Sequence, residues 1–253
     1  MRDLTLHSLA GMDALDLVKA AVSERASFKF VARELEKRPP SKAAAEEIID
    51  AYRRGDAPPW LAALLLGRCR DKVGYTTVRE ILLSAPRQLA ESYAGVALAE
   101  IGGDQALDDL KQLMFDAPDR KSREGAAFGL RALSSSKAAS AIFEAVLAGK
   151  IRWETGAWIL SGKFADENLL LKLLQSGDKY RVRIATEIVC CSILNPTKDL
   201  PEEMAPFVNR PSIELVGALG QVLSDSQMTM APNKRTRLRD WLNRVSCEES
   251  SGS

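Results

Sequence analysis

Apolar residues recur at helical spacing along most of the chain, and the arrangement returns at a regular interval. Each unit has a first helix with a small residue near its start, a short polar or Gly/Ser break, and a second helix rich in leucine-type residues. The clearest units are SYAGVALAEIGGDQALDDLKQLM (92–114), REGAAFGLRALSSSKAASAIFEAVL (123–147) and WETGAWILSGKFADENLLLKLL (153–174). No segment of useful length alternates apolar and polar residues as a strand does. The pattern predicts an all-α protein built from helix pairs.

The small residues set a period of about 31 residues, which is within the range of helical repeat proteins. They are Ala32, Ala63, Gly95, Ala126, Ala157, Ala185 and Gly217. Seven helix pairs fit this period. We predict first helices near 24–37, 59–70, 88–101, 121–133, 152–162, 179–194 and 211–223, and second helices near 41–54, 74–84, 104–115, 136–148, 166–175, 201–208 and 233–246, after a leading helix near 12–22. The sixth pair is predicted to be distorted, because NPTKDLPEEMAP (195–206) contains three prolines.

The predicted domain organisation has three parts. Residues 1–23 form an N-terminal helix or cap, 24–246 form the repeat array, and 247–253 form a disordered tail, because SCEESSGS is small and polar.

Gly125 and Gly129 lie inside one predicted first helix, where each costs roughly 0.5 to 1 kcal/mol relative to alanine. We expect them to be retained because neighbouring first helices approach closely at these points. The same role is predicted for Gly95, Gly156 and Gly217.

The segment LAEIGGDQALDDL (98–110), with its small residues, its G-D break and its leucine-rich second helix, resembles the short HEAT-like repeats of the bilin-lyase type. The resemblance covers about residues 24–246. It implies a right-handed α-solenoid, or α-α superhelix, of about seven HEAT-like helix pairs. It also implies a bacterial protein-binding scaffold, since such repeats serve mostly in binding and only some members are enzymes.

The resemblance leaves two enzymatic alternatives open: an enzyme or enzyme subunit of the bilin-lyase kind, and a DNA glycosylase of the HEAT-like type. The glycosylase needs a basic cleft, which a net charge of +1 disfavours. The related iron-dependent hydroxylases need repeated His-Glu pairs, and this chain has a single histidine, His7.

Composition narrows the function further. A hydrophobic fraction of 46% and a charged fraction of 27% are typical of a soluble globular protein. The near balance of charges disfavours nucleic acid as a partner, and no run of apolar residues is long enough to span a membrane. The four cysteines lack metal-binding spacing. We therefore expect a cytoplasmic protein with reduced thiols, without a cofactor or a metal.

Cations recur where first helices begin, although a cation at a helix N-terminus costs about 0.3 to 1 kcal/mol. We name this set the basic edge and include the aromatic residues between the cations. It consists of Arg120, Lys121, Arg123, Lys150, Arg152, Trp153, Lys179, Tyr180, Arg181 and Arg183. One interpretation is a structural ladder, in which the arginines pair with acids such as Asp119 and Asp178. The other is a surface that binds an acidic protein.

We predict that Trp153 is the exposed anchor of this edge and that Trp158, followed by Ile159 and Leu160, lies in the core. The motifs of catalytic loops and metal sites are missing from the sequence. The sequence therefore predicts a non-enzymatic scaffold, adaptor or immunity-type inhibitor that binds a protein partner through its concave face or the basic edge.

Overall fold

The structure, a computed structural model, describes residues 6–84, 90–162, 165–194, 204–226 and 228–250. These residues form α-helices and short 3-10 turns, without any strand among them. The helices are α1 (Leu6–Ala10), α2 (Ala14–Val22), α3 (Phe28–Glu36), α4 (Lys42–Arg54), α5 (Pro59–Cys69), α6 (Tyr75–Leu83), α7 (Ala90–Gly102), α8 (Ala106–Asp116), α9 (Arg120–Ala132), α10 (Ser136–Leu147), α11 (Trp153–Ile159), α12 (Glu167–Leu174), α13 (Lys179–Leu194), α14 (Ile213–Ser224) and α15 (Pro232–Ser250). The all-α prediction is confirmed.

The helices form two compact units that divide between Ile151 and Arg152. In the first unit the predicted first helices pack in chain order, α3 on α5, α5 on α7 and α7 on α9. In the second unit α11 packs on α13. That the pairs continue as one array from 24 to 246 stays a prediction.

Most of the small residues that set the period are buried. Ala63, Ala126, Ala157 and Ala185 have no exposed surface, and Ala32 and Gly95 are also buried. The repeat read from the sequence therefore identifies the helix faces that meet in the core.

The close approach predicted for Gly125 and Gly129 is found at the junction of α7 and α9, which we call the glycine seam and define by Gly95, Gly125 and Gly129. A Cβ added at Gly125 would lie 2.5 Å from the carbonyl oxygen of Glu91. A Cβ at Gly95 would collide with the carbonyl oxygen of Gly125, and one at Gly129 with that of Gly95. Backbone meets backbone along the seam, so only glycine fits there.

Gly217 does not have the predicted role, because an added Cβ would meet nothing within 4 Å. The reason is a change in packing after the predicted sixth pair, whose second helix is only a 3-10 turn, Pro206–Val208, in its described part. Helix α14 packs on α12, and α15 packs on α13. The period predicted that α14 would lie in the row of first helices and α15 in the row of second helices. The contacts are the reverse, because α14 packs on a second helix and α15 on a first helix, and Gly217 faces solvent.

Helix α15 continues to Ser250, so residues 247–250 are helical where the sequence predicted a disordered tail. The buried face of this helix extends to Val245, and no residue that breaks helices follows before Gly252. Residues 251–253 lie outside the described residues.

Arginines stabilise the C-terminal ends of α1 and α3, which the sequence analysis missed. The guanidinium of Arg38 donates to the carbonyl oxygen of Ala10, and that of Arg70 donates to the carbonyl oxygen of Arg38 at 2.6 Å. Cations at this end complement the helix dipole. A signal was present, because the two arginines are separated by about one repeat.

Candidate functional site

Three of the four unit 1 members of the basic edge lie at the start of α9, where an acidic cap offsets the cations. Asp119 accepts a hydrogen bond from the backbone amide of Ser122 at 2.9 Å, and the Ser122 hydroxyl also donates to it. Burial tends to raise the pKa of Asp119, but the hydrogen bonds from Ser122 outweigh it, and the pKa is lowered. Arg120 and Lys121 are exposed beside this ionised carboxylate.

Arg123 has a structural role. Its guanidinium donates to the carbonyl oxygens of Lys150 at 2.7 Å and Ala117 at 2.8 Å, and more weakly to that of Pro118. It therefore joins the segment before α9 to the segment after α10. This contact fits the ladder interpretation, with carbonyl oxygens in place of the carboxylates that we expected.

The unit 2 part of the edge is centred on the start of α13. Asp178 accepts hydrogen bonds from the backbone amides of Tyr180 at 2.8 Å and Arg181 at 3.1 Å. The Arg181 side chain lies 4.0 Å from the same carboxylate, and Tyr180 is 41% exposed. As in α9, an aspartate cap holds the backbone of a helix whose first turn is basic.

Of the two tryptophans of α11, Trp158 does not have the core position predicted for it, and the role of Trp153 as the anchor of the edge stays a prediction. Trp158 is 46% exposed, whereas Trp153 is half-buried with the Arg183 guanidinium 4.4 Å from its ring centroid. Gly156 and Ala157 belong to the buried stripe of α11, and the half-buried Trp153 lies at its edge, three and four positions earlier, which is the spacing of one helix face. Trp158 falls outside that stripe.

A small cleft of about 130 Å³ lies beside Trp153 and Arg183. The sequence analysis missed the ion pair that lines it. Glu187 of α13 forms an ion pair with Lys234 of α15 beside Trp153 and Arg183. Burial tends to lower the pKa of Lys234, but its hydrogen bond to Glu187 prevails and the pKa is raised. Nothing local in the sequence signals a pair so far apart in the chain.

Within each unit, therefore, the structure brings together some members of the basic edge. Arg123 contacts the backbone of Lys150 in unit 1, and Arg183 contacts Trp153 in unit 2. Arg152, Lys179 and Arg181 are exposed in unit 2. That all ten residues form one continuous row stays a prediction.

The cysteines bear on the enzymatic alternative. Burial raises the pKa of Cys69 to about 12, that of Cys190 to about 12 and that of Cys191 to about 11. These thiols are protonated near neutral pH, which disfavours them as nucleophiles. In the part of the chain that the structure describes, no three Cys, His, Asp or Glu side chains converge as a metal site would require.

No protein-family profile, curated protein or solved structure matches this chain. The resemblance to HEAT-like repeats therefore stays a prediction. None of the described helices has both the length and the apolar character that crossing a bilayer requires.

Proposed function

We propose that the protein is a non-enzymatic binding module that holds an acidic surface of a partner protein against the exposed cations of the basic edge. The observation that carries this proposal is the pair Arg120 and Lys121. Both are exposed, and neither forms an ion pair or a hydrogen bond with its side chain to any part of the described chain. The ladder interpretation explains the position of Arg123, but it does not explain why Arg120 and Lys121 are cations.

Helix α13 supports the proposal from the other unit. Its exposed cations lie on a first turn whose backbone is fixed by Asp178, and Arg183 is held over Trp153. Cations held in place lose less conformational entropy on binding than free side chains do. A preorganised basic surface favours fast association with an acidic partner and makes the affinity depend on salt.

The decisive experiment compares two single charge reversals of equal chemistry and then adds a second reversal on the basic edge. Lys121 and Lys137 are both exposed and are both the second residue of a helix, in α9 and α10 respectively. A glutamate at either position complements the helix dipole by about 0.3 to 1 kcal/mol, so neither change should unfold the protein. Lys137→Glu is therefore a matched control for Lys121→Glu.

The partner is first captured from cells with the immobilised wild-type chain, and its affinity for each purified variant is then measured by calorimetry. We expect Lys121→Glu to weaken binding by about tenfold and the addition of Arg120→Glu to weaken it further, while Lys137→Glu leaves it unchanged. Wild-type affinity should fall as added salt shortens the screening length from about 10 Å. Binding that is equal in all variants and insensitive to salt would contradict the proposal.

A further inference from the structure

A cleft of about 510 Å³ opens in unit 1, where the end of α2 meets the starts of α3 and α5. Its volume is within the range of about 300 to 1,000 Å³ that small-molecule sites occupy. Its lining consists of Ala21, Val22, Glu24, Ala26, Ser27, Phe28, Phe30, Asp56, Pro58, Trp60 and Leu61. We call it the aromatic cleft.

Aromatic rings form its walls. The rings of Phe28 and Trp60 meet edge to face, with centroids 4.9 Å apart and planes at 74°. Tyr93 of α7 supports Trp60 from outside the lining, at 6.3 Å between centroids. Phe30 is 37% exposed at the mouth. Two rings that are held nearly perpendicular form a corner with electron-rich faces.

The charge of the lining has one sign. Glu24 and Asp56 are both exposed, and the lining includes no Lys or Arg among the described residues. Asp56 accepts a hydrogen bond from Arg54 at 2.8 Å, and this contact neutralises part of its charge. Glu24 forms no ion pair within the described part of the chain. The cleft therefore combines aromatic faces with an uncompensated carboxylate.

We propose that the aromatic cleft binds an organic cation of the quaternary or methylated ammonium type. Aromatic faces attract such cations through the ring quadrupole, and carboxylates at the rim add attraction over a longer range. An anion would be repelled by the rim, and a neutral apolar ligand would gain nothing from it. The cation belongs either to a methylated lysine of a polypeptide or to a small free molecule. This site lies in unit 1 and does not rest on the proposed function.

The test uses the full chain and three probes: tetramethylammonium, a short peptide carrying trimethyllysine, and the same peptide with an uncharged tert-butyl analogue of that side chain. Binding is measured by calorimetry, and its place by the shift of the indole N–H signal of Trp60, assigned with Trp60→Phe. We expect a charged probe to bind about tenfold more tightly than the uncharged analogue and to shift that signal. A peptide that binds more tightly than tetramethylammonium identifies a polypeptide ligand, and equal affinity identifies a small cation.

A double variant tests the rim without disturbing the aromatic walls. Glu24→Gln with Asp56→Asn should weaken binding of the charged probe by about tenfold while preserving side-chain shape. Glu47→Gln is the matched control, because Glu47 also lies beside Arg54, at 3.6 Å, but does not line the cleft. Equal binding of the charged and uncharged peptides, an unchanged affinity in the double variant, or no binding of any cation would overturn the proposal.

Discussion

At the scale of single residues, Gly125 and Gly217 were both predicted to lie in first helices, but only Gly125 is packed against another backbone. An added Cβ at Gly125 would lie 2.5 Å from a backbone oxygen of α7, whereas at Gly217 it would meet no atom within 4 Å. A backbone atom cannot move aside as the end of a side chain can. The sequence shows that both residues are glycines in helices, but not which of them faces another backbone.

We therefore predict opposite effects for one substitution. Gly125→Ala should lower the free energy of unfolding by about 1 to 3 kcal/mol, because the α7–α9 junction must open to admit a methyl group. Gly217→Ala should raise it by about 0.4 to 1 kcal/mol, because alanine restricts the unfolded chain and meets no obstacle. Urea denaturation of both variants measures the two effects. A higher urea midpoint for Gly125→Ala would contradict the close packing of the glycine seam.

Asp119 gives a second prediction at this scale. Asp119→Ala should cost about 0.5 to 2 kcal/mol of unfolding free energy, because it removes the cap of α9. The lowered pKa means that the ionised cap contributes stability above the unfolded pKa and loses it as the pH falls through the folded one. The difference between wild type and variant should therefore shrink below about pH 4. Urea midpoints across this range provide the measurement, and a difference that grows in acid would contradict it.

At the scale of helices, the period predicted the positions of most helices in the chain, but it did not predict which helices α14 and α15 pack on. Polar and apolar spacing defines where a helix begins, ends and turns its buried face, which is why α3 to α13 fall near their predicted positions. The row depends on contacts between distant segments. After the short Pro206–Val208 turn, α15 packs on α13, and Trp241 donates to the carbonyl oxygen of Val208 at 2.8 Å.

The ion pair between α13 and α15 tests this exchange. Lys234→Met should lower the free energy of unfolding by about 1 to 3 kcal/mol, because it leaves the mostly buried Glu187 carboxylate without its cation. Glu187→Gln combined with Lys234→Met should cost less than the sum of the two single changes, because neither charge is then left alone. A double-mutant cycle by urea denaturation measures the coupling. Strictly additive effects would show that the two helices do not depend on this contact.

At the scale of the whole molecule, the sequence predicted the all-α class and placed the basic edge at helix starts. It misjudged Trp158, which was assigned to the core from its apolar neighbours in sequence, whereas position on the helix face decides burial. It missed the aromatic cleft because Phe28 and Trp60 belong to different helix pairs. Residue types show what chemistry is available, and tertiary contacts decide where it is assembled.

The reactivity of the cysteines tests the bilin-lyase alternative, which needs a reactive thiol. We predict that near pH 8 only the exposed Cys247 of the four cysteines reacts quickly with a thiol reagent, while all four react in denaturant. Mass spectrometry of the labelled peptides identifies the sites. Fast labelling of Cys191 in the native protein would instead favour the bilin-lyase alternative.

Three of these thiols should also make the folded chain less stable at high pH. Cys69, Cys190 and Cys191 keep their protons to higher pH in the folded chain than in the unfolded chain, because burial disfavours their thiolates. Raising the pH above about 9 should therefore lower the free energy of unfolding. Urea midpoints measured between neutral and alkaline pH check this, and Cys69→Ala should reduce the slope. A midpoint that rises with pH would contradict it.

The glycine seam also has a mechanical meaning. Where two helices meet through side chains, changes of rotamer allow small rotations and translations of one helix relative to the other. Along Gly95, Gly125 and Gly129 no side chain lies between the helices, and the carbonyl groups of one act as stops for the other. Helices α7 and α9 should therefore move as one rigid body. When unit 1 bends under an applied force, the bending should occur at its other helix junctions.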